Sequence, residues 1–131
     1  MKILQYGINF HPELTGTGKY TGEMARWLAH LGHDVDVITA PPYYPEWKIS
    51  PGYSGARYQR EVMDHTHERV QIMRCPLWVP SRVSGATRLV HLMSFALTSI
   101  GGLGWGFARK PDMLFVVAPT FFQVPFALLF A

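Results

Sequence analysis

Apolar and polar residues follow one another along the chain in a way that predicts alternating strands and helices. Three short apolar segments are typical of β-strands: residues 2–8, 34–39 and 113–117. Two longer segments carry apolar residues at helical spacing, which predicts helices at residues 17–31 and from 87 to about 100. In the first helix, the predicted buried face consists of Tyr20, Met24, Trp27, Leu28 and Leu31.

The segments between these elements complete the predicted architecture. Residues 40–55 contain four prolines and are expected to form a long loop, which in a compact domain is usually functional or mobile. Two further extended segments are predicted at residues 57–62 and 69–77, with a polar turn at 63–68 between them. A last helix is predicted to begin at Pro119. This order of elements predicts an α/β domain with a mainly parallel sheet flanked by helices.

A glycine-containing loop separates the first predicted strand from the first helix. Gly16 and Gly18 allow positive φ angles and close approach of a ligand to the backbone. The first N–H groups of a helix lack internal partners, and with the helix dipole they favour an anion such as a phosphate or diphosphate. Lys19 would add positive charge. The alternative is a flexible loop in which Thr17 is an ordinary N-cap.

Two common nucleotide-binding patterns match this loop poorly. The phosphate loop of nucleotide hydrolases requires a Ser or Thr after its Gly-Lys pair, but Tyr20 follows Gly18 and Lys19 here. The dinucleotide fingerprint begins directly after the first strand and is followed by an acidic residue after the second. Here Gly16 lies well beyond the strand and Thr39 ends the second strand. A nicotinamide-dependent oxidoreductase is therefore disfavoured.

Composition and charge narrow the class of protein. The 131 residues are 48% hydrophobic and 16% charged, which is typical of a globular domain with a real core. Residues 69–110 contain six Lys or Arg and no Asp or Glu, so this half either faces an anionic surface or is an ordinary solvated face. The single cysteine, Cys75, has no internal disulfide partner, which favours a reducing, cytoplasmic location.

Three motifs in the first part of the chain follow a known pattern. They are P-E-x-x-G-x-G-x-Y at residues 12–20, L-x-x-x-G-H-x-V-x-V-I-T at 28–39 and A-P-P-Y-Y-P at 40–45. Together with RCPLWVP at 74–80, they resemble the start of family 4 glycosyltransferases, most closely the colanic-acid and exopolysaccharide type. KPD at 110–112 agrees with this resemblance.

The resemblance implies a GT-B architecture, in which two Rossmann-like domains face each other across a cleft. Residues 1–131 would be the N-terminal, acceptor-side domain. The chain stops inside an apolar segment, so we expect this domain to be incomplete and the donor-binding C-terminal domain to be missing. Alone, such a fragment is expected to be inactive.

The resemblance also implies a reaction. A hexosyl or deoxyhexosyl group would move, with retention of configuration, from a UDP- or GDP-linked nucleotide-sugar to a polysaccharide or lipid-linked acceptor. No metal, no other cofactor and no nucleic acid would take part. Gly16, Thr17 and Gly18 would face the donor diphosphate, with Lys19 beside them. The catalytic residues remain unassigned, because Val117 or Ala118 stands where some members of the family carry a His.

Several other residues are candidates for binding the acceptor. Tyr43, Tyr44 and Trp47 would stack on a sugar ring, or alternatively pin the proline-rich loop to the domain. His11 and Glu13 would orient a hydroxyl or phosphate, or alternatively give the loop its structure. The acidic and histidine residues of the segment 64–68 match no standard zinc spacing, so we interpret them as an exposed turn.

The apolar segment 89–108 contains no Lys, Arg, Asp or Glu. It is interpreted as a buried helix followed by a glycine-rich turn, in preference to a membrane span. A third interpretation is peripheral contact with the inner face of the plasma membrane, through basic residues on both sides of the segment. For the protein as a whole, the main alternative to a glycosyltransferase is a non-catalytic Rossmann-like module that binds a phosphorylated or carbohydrate ligand.

Overall fold

The computed structural model describes residues 1–13, 16–44, 46–65 and 68–117, together with Pro125, Leu128 and Leu129. It contains five strands, which are β1 (Lys2–Gly7), β2 (Asp34–Thr39), β3 (Gln59–His65), β4 (Glu68–Arg74) and β5 (Met113–Val117). The two helices within these ranges are α1 (Gly16–His30) and α2 (Gly85–Ala108). The helix predicted from Pro119 begins at a residue outside the described ones.

One mixed sheet joins all five strands in the order β3-β4-β2-β1-β5. β1 is parallel to both β2 and β5, and β2 is parallel to β4, whereas β3 runs antiparallel to β4. The predicted α/β class with a mainly parallel sheet is confirmed. The chain runs outward from β1 to β4 and then returns through α2 to β5 on the other side of β1. The strand order therefore reverses between β1 and β5, where ligands of such sheets commonly bind.

Side chains alternate between the two faces of the sheet and form two separate apolar clusters. On the α2 face, Leu4, Tyr6 and Ile38 pack with Phe95 and Leu103 of α2. On the other face, α1 packs against the remaining alternate positions of the sheet: Val35, Val37, Val70 and Ile72. This period of two, with a helix over each face, buries the central strands on both sides.

The buried face of α1 differs from the predicted one. Tyr20 and Trp27 are 66% and 60% exposed, and Leu31 is also exposed. The buried residues are instead small: Gly18, Thr21, Gly22, Ala25 and Ala29. A Cβ atom at Gly22 would lie 2.9 Å from the Cβ of His11, so the helix sits too close to its neighbours for a large residue there. Leu28 of the predicted stripe packs against this core, but the prediction was wrong for Tyr20, Trp27 and Leu31, because close packing selected small side chains and not the most apolar ones.

The end of α1 matches the sequence prediction. Gly32 has a φ of 93°, its N–H donates to the carbonyl of Ala29, and the N–H of His33 donates to the carbonyl of Leu28. This is the Schellman pattern, which requires a left-handed residue that glycine adopts most easily. β2 then begins at Asp34, as predicted.

α2 is longer than predicted, and the expected glycine-rich turn is wrong. The helix begins after the N-cap Ser84, whose side chain forms a capping box with Thr87. It continues through the four glycines of the expected turn, which are Gly101, Gly102, Gly104 and Gly106. A Cβ atom at Gly102 would lie 2.7 Å from the Sγ of Cys75 and 2.8 Å from Ile38. A Cβ at Gly106 would lie 2.9 Å from Leu4. These two glycines let α2 lie close on the sheet, so they support the helix in this position.

Two smaller predictions also need correction. β3 extends to His65 and β4 begins at Glu68, so most of the predicted turn 63–68 is strand, with residues 66–67 outside the described ones. β5 is parallel as expected, but Met113 and Phe115 are substantially exposed because β5 is the outermost strand on its side of the sheet. Residues 40–55 form a loop as predicted, among those that the structure describes.

Candidate functional site

A cavity of about 270 Å³ lies beyond the carboxyl ends of β1 and β2. We call it the main cavity. Four segments contribute to it, namely the end of β1, the start of α1, the loop after β2 and the first turns of α2. Its lining residues are Ile8, Asn9, Gly16, Thr17, Tyr43, Tyr44, Trp47, Arg88, His91 and Leu92.

The start of α1 lies on the main cavity. Gly16 is the first residue of the helix and has a φ of 63°, a conformation that glycine adopts without strain. Gly16 and Thr17 are both exposed, and both line the cavity. Thr17 is the second helical residue, so the interpretation of Thr17 as N-cap was wrong. Because the first N–H groups of a helix lack internal partners, this wall suits an anion.

The other two residues predicted for the diphosphate lie elsewhere. Gly18 is buried, and a Cβ atom there would lie 2.6 Å from the Oε1 of Glu13. Lys19 is exposed, with its Nζ 5.8 Å from the ring centroid of Tyr20. Neither residue lines the main cavity. Close packing requires a glycine at position 18. Of the four residues predicted to bind the diphosphate, Gly16 and Thr17 therefore line the main cavity, whereas Gly18 and Lys19 do not.

Glu13 is buried beneath the loop after β2, although we predicted that it contacts the acceptor. Its Oε2 accepts hydrogen bonds from the backbone N–H groups of Tyr43 at 3.0 Å and Tyr44 at 2.7 Å. Its Oε1 accepts a 3.0 Å hydrogen bond from Asn9. These contacts match the alternative role, in which Glu13 gives the loop its structure, and acceptor contact by Glu13 stays an untested prediction.

The three predicted aromatic residues come together on the main cavity. Tyr43 is buried, and its ring centroid lies 5.3 Å from that of Trp47 and 6.4 Å from that of Tyr44, both in edge-to-face arrangements. Burial raises the pKa of Tyr43 to about 12, so its hydroxyl stays protonated. Tyr44 is exposed and Trp47 is partly exposed, which leaves aromatic surface available to a sugar ring.

His91 is a cavity residue that the sequence analysis missed. Its ring is fully buried, with centroids 4.6 Å from Tyr43 and 5.0 Å from Trp47. Its Nδ1 lies 2.8 Å from the carbonyl oxygen of Trp78, and its Nε2 has no hydrogen-bond partner among the described residues. Burial lowers the pKa of His91, and the nearby Arg88 charge lowers it further. The available signal was that His91 is the one ionisable side chain in residues 89–108.

Arg88 precedes His91 by one helical turn and supplies positive charge at the main cavity. Its guanidinium carbon lies 5.7 Å from the ring centroid of Trp47. In the sequence Arg88 is one of the basic residues that flank the apolar segment 89–108, and no local motif connects it to the glycine loop. The cavity therefore combines a helix start, one guanidinium, an aromatic cluster and a buried imidazole.

Comparison with known proteins gives the family. Residues 15–131 match the glycosyl transferase 4-like domain. The chain belongs to this glycosyltransferase family. It is also 54% identical over 125 residues to the putative colanic acid biosynthesis glycosyl transferase WcaI of Escherichia coli (strain K12). That alignment covers 95% of this chain but only 30% of the relative, so the chain spans less than a third of the protein it matches.

The family assignment confirms the predicted resemblance and agrees with the N-terminal half of a GT-B glycosyltransferase. Thr39 has a structural role in this chain. In dinucleotide enzymes, an acidic residue that binds the ribose occupies the corresponding position. Thr39 is fully buried, and its hydroxyl donates to the carbonyl of Ile8 at 3.2 Å. This contact joins the ends of β1 and β2, and it leaves no acidic group for a nicotinamide cofactor at that position.

The glycosyl transferase 4-like chain has a second cavity, of about 200 Å³, which holds the remaining predicted residues. Its lining residues are His11, Glu13, Gly18, Lys19, Gly22, Glu23 and Arg26. Burial lowers the pKa of His11, and the Arg74 and Arg26 charges add to this effect. His11 thus lies in a different cavity from the aromatic residues, which were also predicted to bind the acceptor. Its contact with an acceptor stays a prediction.

Arg74, the first residue of the motif RCPLWVP, is buried and connects several segments, a role that the motif did not predict. Its guanidinium donates to the carboxylate of Glu61 and to the carbonyls of Ala40 and His11, the Ala40 contact measuring 2.8 Å. The Tyr53 ring lies 4.8 Å from its guanidinium carbon. Arg74 therefore ties both cavity loops to β4, and its charge is compensated within the protein.

The remaining sequence predictions concern metal binding at residues 64–68 and the single cysteine. Across the described residues, no group of three or more His, Cys, Asp or Glu is placed to hold a metal ion. His67 and Ala118 lie outside those residues. Cys75 is buried as expected of a small core residue, and burial raises the pKa of its thiol to about 12.

Proposed function

We propose that this chain is the acceptor-side domain of a retaining glycosyltransferase. The enzyme would move a hexosyl or deoxyhexosyl group from a nucleotide-sugar to a polysaccharide or lipid-linked acceptor. One observation carries the proposal. The exposed start of α1 and the aromatic residues of the loop after β2 line the same cavity, beyond the carboxyl ends of β1 and β2. An anion-binding wall beside an aromatic wall suits a sugar diphosphate.

In this proposal, the donor diphosphate lies against the first turn of α1. The backbone N–H groups of Gly16 and Thr17 donate to its oxygens, and Arg88 adds positive charge from α2. Gly18 contributes indirectly, by leaving room for Glu13, and Lys19 contributes only long-range charge. The donor would be UDP- or GDP-linked. The nucleotide would be held mainly by a second Rossmann-like domain, which we expect beyond the sequence described.

Tyr44 and Trp47 are the proposed contacts of the acceptor sugar. Aromatic faces suit the apolar C–H side of a sugar ring, while polar groups at their edges bind hydroxyls. Val117 offers no group for proton transfer at the end of β5. We assign no enzymatic base on this domain and propose a front-face reaction, in which the leaving phosphate helps to activate the acceptor hydroxyl. We propose that neither a bound metal nor another cofactor is required.

The similarity to WcaI supports a particular product class. That relative is named as a putative colanic acid biosynthesis enzyme. We therefore propose that this chain acts in exopolysaccharide biosynthesis, in the cytoplasm.

Contact with the inner face of the plasma membrane is a further part of the proposal. By length and hydropathy α2 qualifies as a candidate membrane span, yet 39% of its most apolar window is buried within the domain. Its outer side carries an exposed apolar stripe, formed by Leu89, Val90, Met93, Leu97 and Ile100. Arg82 and Lys110 lie near its two ends. An apolar face flanked by basic residues suits the surface of an anionic bilayer, where a lipid-linked acceptor would be found.

An assay of sugar transfer tests the proposed function. The full chain, as its gene encodes it, would be incubated with UDP- and GDP-hexoses, a chelator and membrane lipid extract. The proposal predicts release of one nucleotide and a glycosidic product with the anomeric configuration of the donor. Binding of sugar nucleotides without turnover would favour the non-catalytic module. Quenching of NADH fluorescence, without sugar-nucleotide binding, would favour an oxidoreductase.

A further inference from the structure

The protonation state of His91 follows from its contacts. Nδ1 lies 2.8 Å from a carbonyl oxygen, which can only accept, so Nδ1 carries the hydrogen. Burial lowers the pKa of His91, so the ring is neutral near pH 7. In a neutral imidazole with hydrogen on Nδ1, Nε2 carries a lone pair. The Nε2 atom of His91 is therefore a hydrogen-bond acceptor only.

The Nε2 acceptor is buried without a hydrogen-bond partner, which is energetically unfavourable. The side chain of His91 is fully buried, and Nε2 has no hydrogen-bond partner among the described residues. Buried polar atoms are nearly always hydrogen-bonded, and an exception calls for an explanation, such as a bound water, an ion or a ligand. The ring forms part of the lining of the main cavity, next to Tyr43 and Trp47. Nε2 itself is closed to solvent in this structure, so a molecule in that cavity supplies the missing donor only after a shift of the surrounding side chains.

We propose that Nε2 of His91 accepts a hydrogen bond from a sugar hydroxyl bound in the main cavity, which makes His91 a glycan-binding residue. This inference rests on the proposed function. A phosphate oxygen is a poor partner, because both it and Nε2 would present lone pairs to each other. A hydroxyl both donates to Nε2 and belongs to a ring whose C–H face packs against Trp47. Because Nε2 needs a hydrogen-bond donor, a sugar hydroxyl fits this position better than a phosphate oxygen.

The proposal also gives the ligand a direction in the main cavity. The anionic group lies at Gly16 and Thr17, where N–H groups donate. The sugar hydroxyl lies at His91, where only a lone pair is available. Two sources of hydroxyl share this chemistry, the acceptor glycan and the sugar being transferred, and they can be separated by experiment.

Direct observation of the imidazole nitrogen tests the proposal. In the full chain, the ¹⁵N signal of Nε2 would be followed during titration with methyl hexosides, with UDP- and GDP-hexoses and with inorganic pyrophosphate. A sugar that donates to Nε2 should move this signal upfield, whereas pyrophosphate should leave it in place. A shift with methyl hexosides identifies the acceptor as the source. A shift that needs the nucleotide-sugar identifies the transferred group. If no sugar moves the signal, the inference is overturned.

The arms of this titration separate the inference from the function on which it rests. Pyrophosphate should perturb the backbone amides of Gly16 and Thr17, whatever His91 does. If it does so while sugars leave Nε2 unmoved, the role of His91 is wrong and the proposed anion site stands. If sugars move Nε2 while pyrophosphate perturbs neither amide, the anion site is wrong and the role of His91 stands.

Two substitutions provide a second, functional test. His91→Asn retains a donor that can reach the carbonyl of Trp78 but has no group at the position of Nε2. His91→Gln places an amide near the position of Nε2 and can present its oxygen as an acceptor. We expect His91→Asn to weaken sugar binding about tenfold and His91→Gln to recover most of that loss. His33→Asn, outside both cavities, is the control. Unchanged sugar affinity in His91→Asn would overturn the inference, and the wild-type titration applies even if a variant fails to fold.

Discussion

The carboxylate of Glu13 accepts a 2.7 Å hydrogen bond from the backbone N–H of Tyr44. A second bond from the N–H of Tyr43 and a third from the side chain of Asn9 complete its contacts. This buried acid therefore joins the loop that enters α1 to the loop that carries the aromatic residues. The two walls of the main cavity are held together by a residue that lies behind them, and this arrangement can be tested by mutation.

Replacing Glu13 by Gln should destabilise the protein by roughly 1–2 kcal/mol, because the amide oxygen serves the two backbone donors only as a neutral acceptor and the NH₂ group then faces the donor of Asn9. Denaturation of the full chain in urea measures this change. Glu46→Gln, on an exposed position of the same loop, should change stability by less than about 0.5 kcal/mol. Equal effects of the two substitutions would show that the buried contacts of Glu13 contribute little.

The glycines of α2 allow a matched pair of substitutions in one helix. Gly102→Ala should destabilise the protein by about 1–3 kcal/mol, since the new methyl group would overlap Cys75 and Ile38. Gly104→Ala should stabilise it by up to about 1 kcal/mol, because a Cβ there meets open space and alanine favours the helix. Thermal unfolding of both variants checks the prediction. A stabilising Gly102→Ala would contradict the close packing of α2 on the sheet.

The pH dependence of stability should reveal the burial of His91. Its folded pKa is lowered from 6.5, so below that pH the unfolded chain binds more protons than the folded one. Stability is then fully present above about pH 6.5 and decreases as the pH falls toward the folded pKa. Urea midpoints of the full chain between about pH 8 and pH 5 measure this slope.

His91→Gln should reduce that slope without removing it, because the pKa of His11 is lowered as well. A slope unaffected by His91→Gln would mean that the imidazole of His91 is solvated in solution.

The exposed stripe of α2 predicts how the protein binds to membranes. Leu97→Glu places a carboxylate in the centre of the stripe and should strongly reduce flotation with vesicles that contain anionic phospholipid. Leu31→Glu replaces an equally exposed leucine directly after α1 and should float like the wild type. High salt should weaken the wild-type interaction. Equal flotation of the two variants would exclude α2 as the membrane-contacting surface.

Local signals predicted much of this fold. The bounds of β2 and β5 follow from short apolar runs, and Gly32 ends α1 because a left-handed residue is needed there. The glycine loop pointed to the start of α1, and two of its four residues line the main cavity. These features depend on neighbours in the sequence, which a single chain displays directly.

The errors and omissions came from contacts between distant segments. The buried face of α1 is made of small residues because the helix lies close to the sheet, and the spacing of Tyr20 and Trp27 carries no information about that distance. Gly102 and Gly106 were interpreted as helix breakers, but tertiary packing outweighed helix propensity. His91 and Arg74 acquired their roles from carbonyls 13 and 34 residues away. No local motif encodes such partners.

Calorimetry of the full chain with UDP- and GDP-sugars tests most directly whether the start of α1 binds the donor diphosphate. Gly16→Val would add a side chain at the mouth of the main cavity, at a φ of 63°. Gly52→Val is the matched control, because Gly52 has a φ of 88° and a Cβ there meets nothing within 4 Å. The account predicts that Gly16→Val loses at least about tenfold in donor affinity while Gly52→Val keeps the wild-type value. Equal donor affinity in wild type and Gly16→Val would contradict it.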